Sequence, residues 1–193
     1  MTLLLASKSE ARRRMLEAAG VPFRVVDTDF DEAAAKERFG NVSAVGLAEA
    51  LAEGKALGVR TGGMVLGSDQ VLERDDGSLL SKPRSPADAF DQLKSLSGRS
   101  HRLHSAAVIA ENGQPAWRKV ETATLTIRPL SDAFLKDYVA REYEAIRWGV
   151  GGYRIEGPGV QLFEKIEGSH FAILGLPLLP LLAYLRERGV LPS

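Results

Sequence analysis

Three groups of residues in this sequence could act on an anion. The first is Asp69, which follows Met64-Val65-Leu66 through Gly67-Ser68 and precedes Gln70. A carboxylate fixed at the end of a strand can accept a proton from water or ligate a metal, and strand ends are where α/β sheets place their sites. The second is the acid pair Asp31-Glu32. Adjacent side chains diverge, so one of the two can face Asp69 while the other is solvated, and Glu32 is the one expected at the site. Two carboxylates would repel an anionic substrate unless a divalent cation intervened. Glu32 and Asp69 therefore predict a requirement for Mg²⁺ or Mn²⁺, held by oxygen ligands and by phosphate.

The third group is cationic. Ser7-Lys8-Ser9 is followed by Arg12, Arg13 and Arg14 in the first turns of an expected helix, where positive charge opposes the helix dipole. A bound polyphosphate would reverse that penalty, because free N–H groups, serine hydroxyls and guanidinium forks all donate to phosphate oxygens. The alternative is a solvated cationic face. No Walker sequence is present, so the loop is not a P-loop. Lys55 and the Lys82 of Lys82-Pro83 could add point charges, or be ordinary surface lysines. His101 and His104 stand three apart, a spacing that sends strand side chains to opposite faces, and His170 stands alone, so a histidine metal site is not expected.

The elements that must hold these groups can be read from periodicity and punctuation. Leu3 to Ala6 reads as a short buried strand, Glu10 to Ala19 as a helix closed by Gly20, and Phe23 to Val26 as a strand feeding an acidic loop. Val45 to Leu57 has helical spacing, and Met64 to Leu66 is a central strand ending in the polar group of Asp69. Pro86 opens a helix closed by Ser97-Gly98, and alternating strands near 102–109 and 120–127 flank a hairpin turn at Asn112-Gly113. Ser131 caps a helix to about Ala140, a glycine-rich region runs from Gly149 to Gly159, and a final helix from Leu176 to Arg188 begins at Pro177. Strands and helices that alternate before a long hairpin predict an α/β fold, a mixed sheet wrapped by helices.

Composition narrows the function. The 193 residues carry 25 lysines plus arginines against 25 aspartates plus glutamates, so no global field exists to hold a nucleic-acid backbone. The absence of cysteine removes disulfides, thiolate metal sites and cysteine nucleophiles together, and fits a cytoplasmic location. The N-terminal apolar run is too short for a signal peptide, and the longest apolar stretch, near Leu174 to Leu185, contains prolines, so no membrane partner is expected. The length suits a single domain spanning 1–193, folded about a cleft as two lobes.

Taken in order, Leu4-Leu5-Ala6-Ser7-Lys8-Ser9-Glu10-Ala11-Arg12-Arg13, Asp31-Glu32, Ala52-Glu53-Gly54-Lys55-Ala56, Gly67-Ser68-Asp69-Gln70-Val71 and Lys82-Pro83 resemble the Maf family. The resemblance continues through Leu96-Ser97-Gly98-Arg99-Ser100-His101, Gly151-Gly152-Tyr153, Ile166-Glu167-Gly168-Ser169 and Gly175-Leu176-Pro177-Leu178, and so covers nearly the whole chain. It implies an elongated fold of the inosine-triphosphate-pyrophosphatase type, a divalent metal, and hydrolysis of a nucleoside triphosphate between its α and β phosphates; homodimers occur in the family. Carried onto matching positions, it makes Asp69 the proton acceptor, assigns Glu32 to metal or water, and puts Ser7, Arg12, Arg13, Lys55 and Lys82 on the phosphates.

Within the family, Gln70 and Glu156 resemble the 7-methyl-GTP branch rather than the dTTP/UTP branch. A Glu156 carboxylate can accept from the N–H edge of guanine and favours the positive charge of a 7-methylated ring. Ala11 stands where the family often has a large residue, so Ala11, Gln70 and Glu156 are the expected specificity positions. A dTTP or UTP pyrophosphatase, and a nucleotide-binding regulator of septum formation, are the competing expectations.

Overall fold

Leu3, Leu5 and Ala6 have no exposed surface, which makes the first apolar run an interior strand. In the computed structural model, which describes residues 2–39 and 42–192, this strand β1 (Leu3–Ala6) pairs in parallel with β2 (Phe23–Val25) and with β3 (Met64–Arg74). Leu4 lies opposite Val65 and Ala6 opposite Gly67. The sheet continues through β5 (Ser100–Glu111), β6 (Gln114–Ile127) and β7 (Phe163–Glu167), in the order β2-β1-β3-β5-β6-β7. A short β4 (Leu79–Leu80) pairs antiparallel with the far end of β3. Parallel pairs on one side and antiparallel pairs on the other make the sheet mixed, as expected. The β5–β6 connection is the two-residue turn Asn112-Gly113, both at positive φ (49° and 74°), the backbone of a tight hairpin.

The helices start where serine or aspartate precedes them. Ser9 caps α1 (Glu10–Ala18), Asp31 caps α2 (Glu32–Arg38), Ser43 caps α3 (Ala44–Leu57), Ser85 caps α4 (Pro86–Leu96), Ser131 caps α5 (Asp132–Ile146) and Ser169 caps α6 (His170–Ile173). In each, the side-chain oxygen accepts from a main-chain N–H of the first turn, satisfying a donor the helix leaves free. The last helix, α7 (Leu178–Glu187), follows Pro177.

The chain divides into two compact units. The first comprises Met1–Gln70, His104–Thr122 and Ser169–Ser193; the second comprises Val71–Leu103 and Ala123–Gly168. The core of the first unites Leu3 and Leu5, Leu16 of α1, Leu66 of β3, Ile109 of β5, and Leu181 and Leu185 of α7. Each of these side chains contributes roughly 1.5–3 kcal/mol by leaving water. In the second unit α4 and α5 pack together, burying Leu93, Leu96, Leu135 and Tyr138. There His101 Nε2 lies 2.6 Å from the Tyr153 hydroxyl, and Phe163 meets the Tyr153 ring edge-on at 4.9 Å. His104, by contrast, belongs to the first unit and bonds Thr122 Oγ1 through Nδ1 at 2.9 Å.

Three expectations are corrected. The strand that carries Asp69 does not end there: β3 runs on to Arg74, so Asp69 lies mid-strand. Local sequence suggested an end because Gly67-Ser68 reads as punctuation, whereas the glycine serves a close approach between elements. The acidic loop stops at Asp31, and Glu32 begins a helix of seven residues that the alanine-rich, weakly patterned stretch 32–38 does not announce. Residues 103–110 of β5 are buried without alternation, and β7 and α6, both short, carried no sequence signal.

Candidate functional site

Gly67 decides how the site is built. A Cβ at this position would lie 2.1 Å from the Ala52 carbonyl oxygen and 2.6 Å from the Ala56 nitrogen, so only glycine lets the backbone of β3 touch α3. Side chains alternate along a strand, so Asp69, two residues on, shares the face of Gly67 and is directed at the same helix. There the Lys55 ammonium lies 2.6 Å from Asp69 Oδ1.

Glu32 reaches the same ammonium from another direction, with its Oε2 2.8 Å from Lys55 Nζ. Its placement follows from Gly54, where a Cβ would sit 2.2 Å from the Phe30 ring. Without that Cβ, Phe30 lies against α3, Thr28 Oγ1 donates to the Lys55 carbonyl at 3.0 Å, and the Asp29 N–H donates to the Gly58 carbonyl at 3.1 Å. The segment before α2 is thereby stitched across the end of α3. Asp31 spends its carboxylate capping α2, while Glu32 faces Lys55. Burial pushes the Glu32 carboxyl up, but hydrogen bonds from Lys36 and Lys55 outweigh it and bring its pKa down to about 2.

The loop after β1 supplies donors. Ser7 Oγ accepts from the Ser9 N–H at 3.3 Å and from Arg12 Nη1 at 3.2 Å. A hydroxyl that accepts twice keeps its own proton to donate, which suits an anion. Arg12 is 8% exposed; its Nε donates to the Gly175 carbonyl at 2.8 Å and its Nη1 also to the Ser68 carbonyl at 3.0 Å. Burial lowers the pKa of its guanidinium, opposed by the nearby charges of Asp69 and Glu32.

The sequence pattern of the Maf-like protein family matches residues 2–188. The chain belongs to the Maf family. Among curated relatives, a nucleoside triphosphate pyrophosphatase of Sphingopyxis alaskensis is 49% identical and is matched over 100% of both chains. One of Ruegeria pomeroyi is 50% identical over 99% of this chain and 98% of its own, and a 7-methyl-GTP pyrophosphatase of Rhizobium meliloti is 44% identical over 99% and 98%. Among solved structures, a HAM1 protein of Coxiella burnetii matches 66% of this chain and 73% of its own with a TM-score of 0.45 and 18% identity.

In this Maf-family chain the expected site residues divide. Ser7, Arg12, Glu32, Lys55, Asp69 and Gln70 all fall in the first unit, as does half-buried Ala11 on α1; Lys82 and Glu156 lie in the second, both exposed. Arg13 is not joined to the Lys55 cluster. Its guanidinium is exposed and clasped by Glu10, with Nη2 2.6 Å from Oε1 and Nε 2.9 Å from Oε2, and by Glu17 at 3.2 Å. Glu10 also takes Arg14 at 2.9 Å, so the excess positive charge inferred for this helix start is answered by acids on the same face. Gln70 is turned inward: its Nε2 lies 2.9 Å from Ser105 Oγ and 3.0 Å from the carbonyls of both Ala172 and Ile173. Ser105 was missed by sequence reading, because a serine inside an apolar strand carries no local signal of what it binds.

Two of the expected metal ligands, Asp69 and Glu32, meet at Lys55. Among the described residues no group of three or more His, Asp or Glu side chains forms a metal cage. Asp69 and Glu32 instead offer hard carboxylate oxygens around one ammonium, and Mg²⁺ is commonly held by one or two carboxylates completed by substrate phosphates and water.

Proposed function

We propose that this chain hydrolyses a nucleoside triphosphate at the bond between the α and β phosphates, releasing the monophosphate and pyrophosphate. The carrying observation is the Lys55 bridge between Asp69 and Glu32 beside the Ser7–Arg12 donor loop, in a chain that matches pyrophosphatase relatives over nearly its full length.

Lys55 takes Oδ1 of Asp69, which leaves Oδ2 for a water molecule. Asp69 accepts the water proton as the water oxygen forms its bond to the α-phosphorus. The bond from that phosphorus to the α–β bridging oxygen breaks, and its electron pair leaves with pyrophosphate. Ser7, Arg12 and Lys55 hold the phosphates and offset the charge that develops on the leaving group, with Lys82 as a further cation. A divalent cation bound by Asp69, Glu32 and the phosphates would neutralise charge and polarise the phosphoryl oxygens. Arg13, held by Glu10 and Glu17, is assigned to a peripheral role.

The proposed substrate is 7-methyl-GTP or another modified purine nucleotide, read in part by the exposed Glu156 carboxylate, and the Rhizobium meliloti relative of that name supports this choice. The proposed setting is the cytoplasm, with the whole chain acting as one domain. No helix among the described residues is long and apolar enough to cross a membrane.

A panel of 7-methyl-GTP, GTP, dTTP, UTP and pseudouridine triphosphate, assayed with Mg²⁺ or Mn²⁺ for pyrophosphate and monophosphate, tests the reading. The expected result is stoichiometric pyrophosphate, highest kcat/KM for 7-methyl-GTP, and no turnover by Asp69→Asn. Release of orthophosphate would overturn the bond assignment, and a preference for dTTP or UTP would overturn the substrate.

A further inference from the structure

Ser68 and Gln70 flank Asp69 on β3, so they share the opposite face of the strand from the carboxylate. On that face they meet the end of α6. Ser68 Oγ donates to the Gly175 carbonyl at 3.0 Å, and Gln70 Nε2 donates to the carbonyls of Ala172 and Ile173 and to Ser105 Oγ. Ser105, on β5, passes its own proton to the Ala172 carbonyl at 2.6 Å. Arg12 completes the set from α1 by donating to the Gly175 carbonyl at 2.8 Å. Four side chains from three elements thus hold residues 172–175 through the carbonyls of Ala172, Ile173 and Gly175, and the Ala172 carbonyl also takes the Gly175 N–H at 3.0 Å to close the turn.

We propose that Gln70 and Ser105 are positioning residues for the phosphates: they fix the turn at residues 172–175, whose Gly175 carbonyl orients the Arg12 guanidinium beside Ser7 and Ser68. The proposal rests on the reading of this site as a triphosphate site. It adds to the expectation that Gln70 reads the base: the amide nitrogen is shared among three internal acceptors, so any contact with a nucleobase edge falls to the amide oxygen as an acceptor. The Gly175 carbonyl takes Arg12 Nε while the Ser7 hydroxyl and the Ser68 carbonyl take Nη1, so the guanidinium plane is defined by three acceptors, and among the described residues Nη2 carries none of these bonds. Loss of Ser105 or of the Gln70 amide would free the turn and let the Arg12 plane rotate. The resulting defect would be in phosphate binding and independent of the base.

The discriminating probe is inorganic tripolyphosphate, which has phosphates and no base. Its affinity with Mg²⁺ present is measured by calorimetry on the full chain, alongside kcat/KM for one purine and one pyrimidine triphosphate and the melting temperature. Ser105→Ala and Gln70→Met are each expected to weaken tripolyphosphate about three- to tenfold, the worth of one hydrogen bond, and to lower kcat/KM for both nucleotides by the same factor. Ser105→Thr, which keeps the hydroxyl, is expected to restore binding, and in an Arg12→Ala background Ser105→Ala should add nothing. The proposal is overturned if Gln70→Met changes the purine-to-pyrimidine ratio while tripolyphosphate affinity stays constant. It is equally overturned if Ser105→Ala lowers only the melting temperature. Wild-type protein that neither binds tripolyphosphate nor hydrolyses any triphosphate would remove the underlying reading, and this one with it.

Discussion

The Lys55 Nζ lies 2.6 Å from Asp69 Oδ1, a charge-assisted contact between residues 14 apart in sequence, on two elements joined by the backbone approach at Gly67. The same ammonium serves Glu32 at 2.8 Å. One lysine therefore bridges two carboxylates, of which Glu32 also has Lys36 at 2.6 Å, and its removal would leave Asp69 without this cation in a place with little solvent, since the Lys55 and Asp69 side chains are only 13% and 10% exposed.

Lys55→Met is expected to destabilise the protein by about 2–4 kcal/mol, the range for breaking a largely buried pair moderated by the more exposed Glu32. Asp69→Asn should cost much less, and the double variant Lys55→Met/Asp69→Asn should be more stable than Lys55→Met alone. Urea denaturation of the four proteins checks this. Strict additivity would show that the two groups do not interact.

Gly54→Ala would push a methyl group into the Phe30 ring, which lies 2.2 Å from the position of the new Cβ. The expected cost is about 1–3 kcal/mol, with a fall in kcat as the segment that delivers Glu32 is displaced. Phe30→Ala in the Gly54→Ala background should recover stability by relieving the collision. Melting temperatures and turnover of the three variants measure the effect, and an unchanged Gly54→Ala would contradict the packing.

His101 gives the fold a dependence on pH. Burial lowers its pKa to about 4, from an ordinary value of 6.5, so the unfolded chain binds a proton that the folded chain refuses between these values. Stability contributed by the neutral ring is full well above pH 6.5 and is lost as pH falls, by roughly 2 kcal/mol at pH 5, with the loss levelling off about one pH unit below the folded pKa. Replacing His101 with Gln should flatten this part of the stability profile between pH 4 and 7. A wild-type slope that survives the substitution would assign the effect to other groups.

Arg12 and Arg13 are neighbours in sequence and opposites in structure. Arg12→Ala is expected to lower kcat/KM about tenfold to a hundredfold, the loss of a charged hydrogen-bond donor to phosphate. Arg13→Ala, which frees only Glu10 and Glu17 on an exposed face, should change it less than about threefold. Equal losses from the two substitutions would place Arg13 on the substrate as well.

The sequence by itself determined the elements whose rules are local. The Ser131 cap, Pro86 at a helix start, the Asn112-Gly113 turn and the buried run at Leu3–Ala6 all act within a few residues, and most of the longer helices and strands were legible from such signals and from periodicity. The residues that meet around Lys55 could be named from the sequence too, although each also had the ordinary reading of a solvated surface charge. What only the tertiary structure decided was partnership. That Asp69 lies mid-strand, that Gln70 faces away from it onto the α6 end, that Ser105 belongs to the same cluster, and that Arg13 is spent on Glu10 all depend on which faces meet. A close backbone approach such as Gly67 on Ala52 looks like a loop signal until the second element is in place, because a glycine needed for contact and one needed for a turn are the same residue in the sequence.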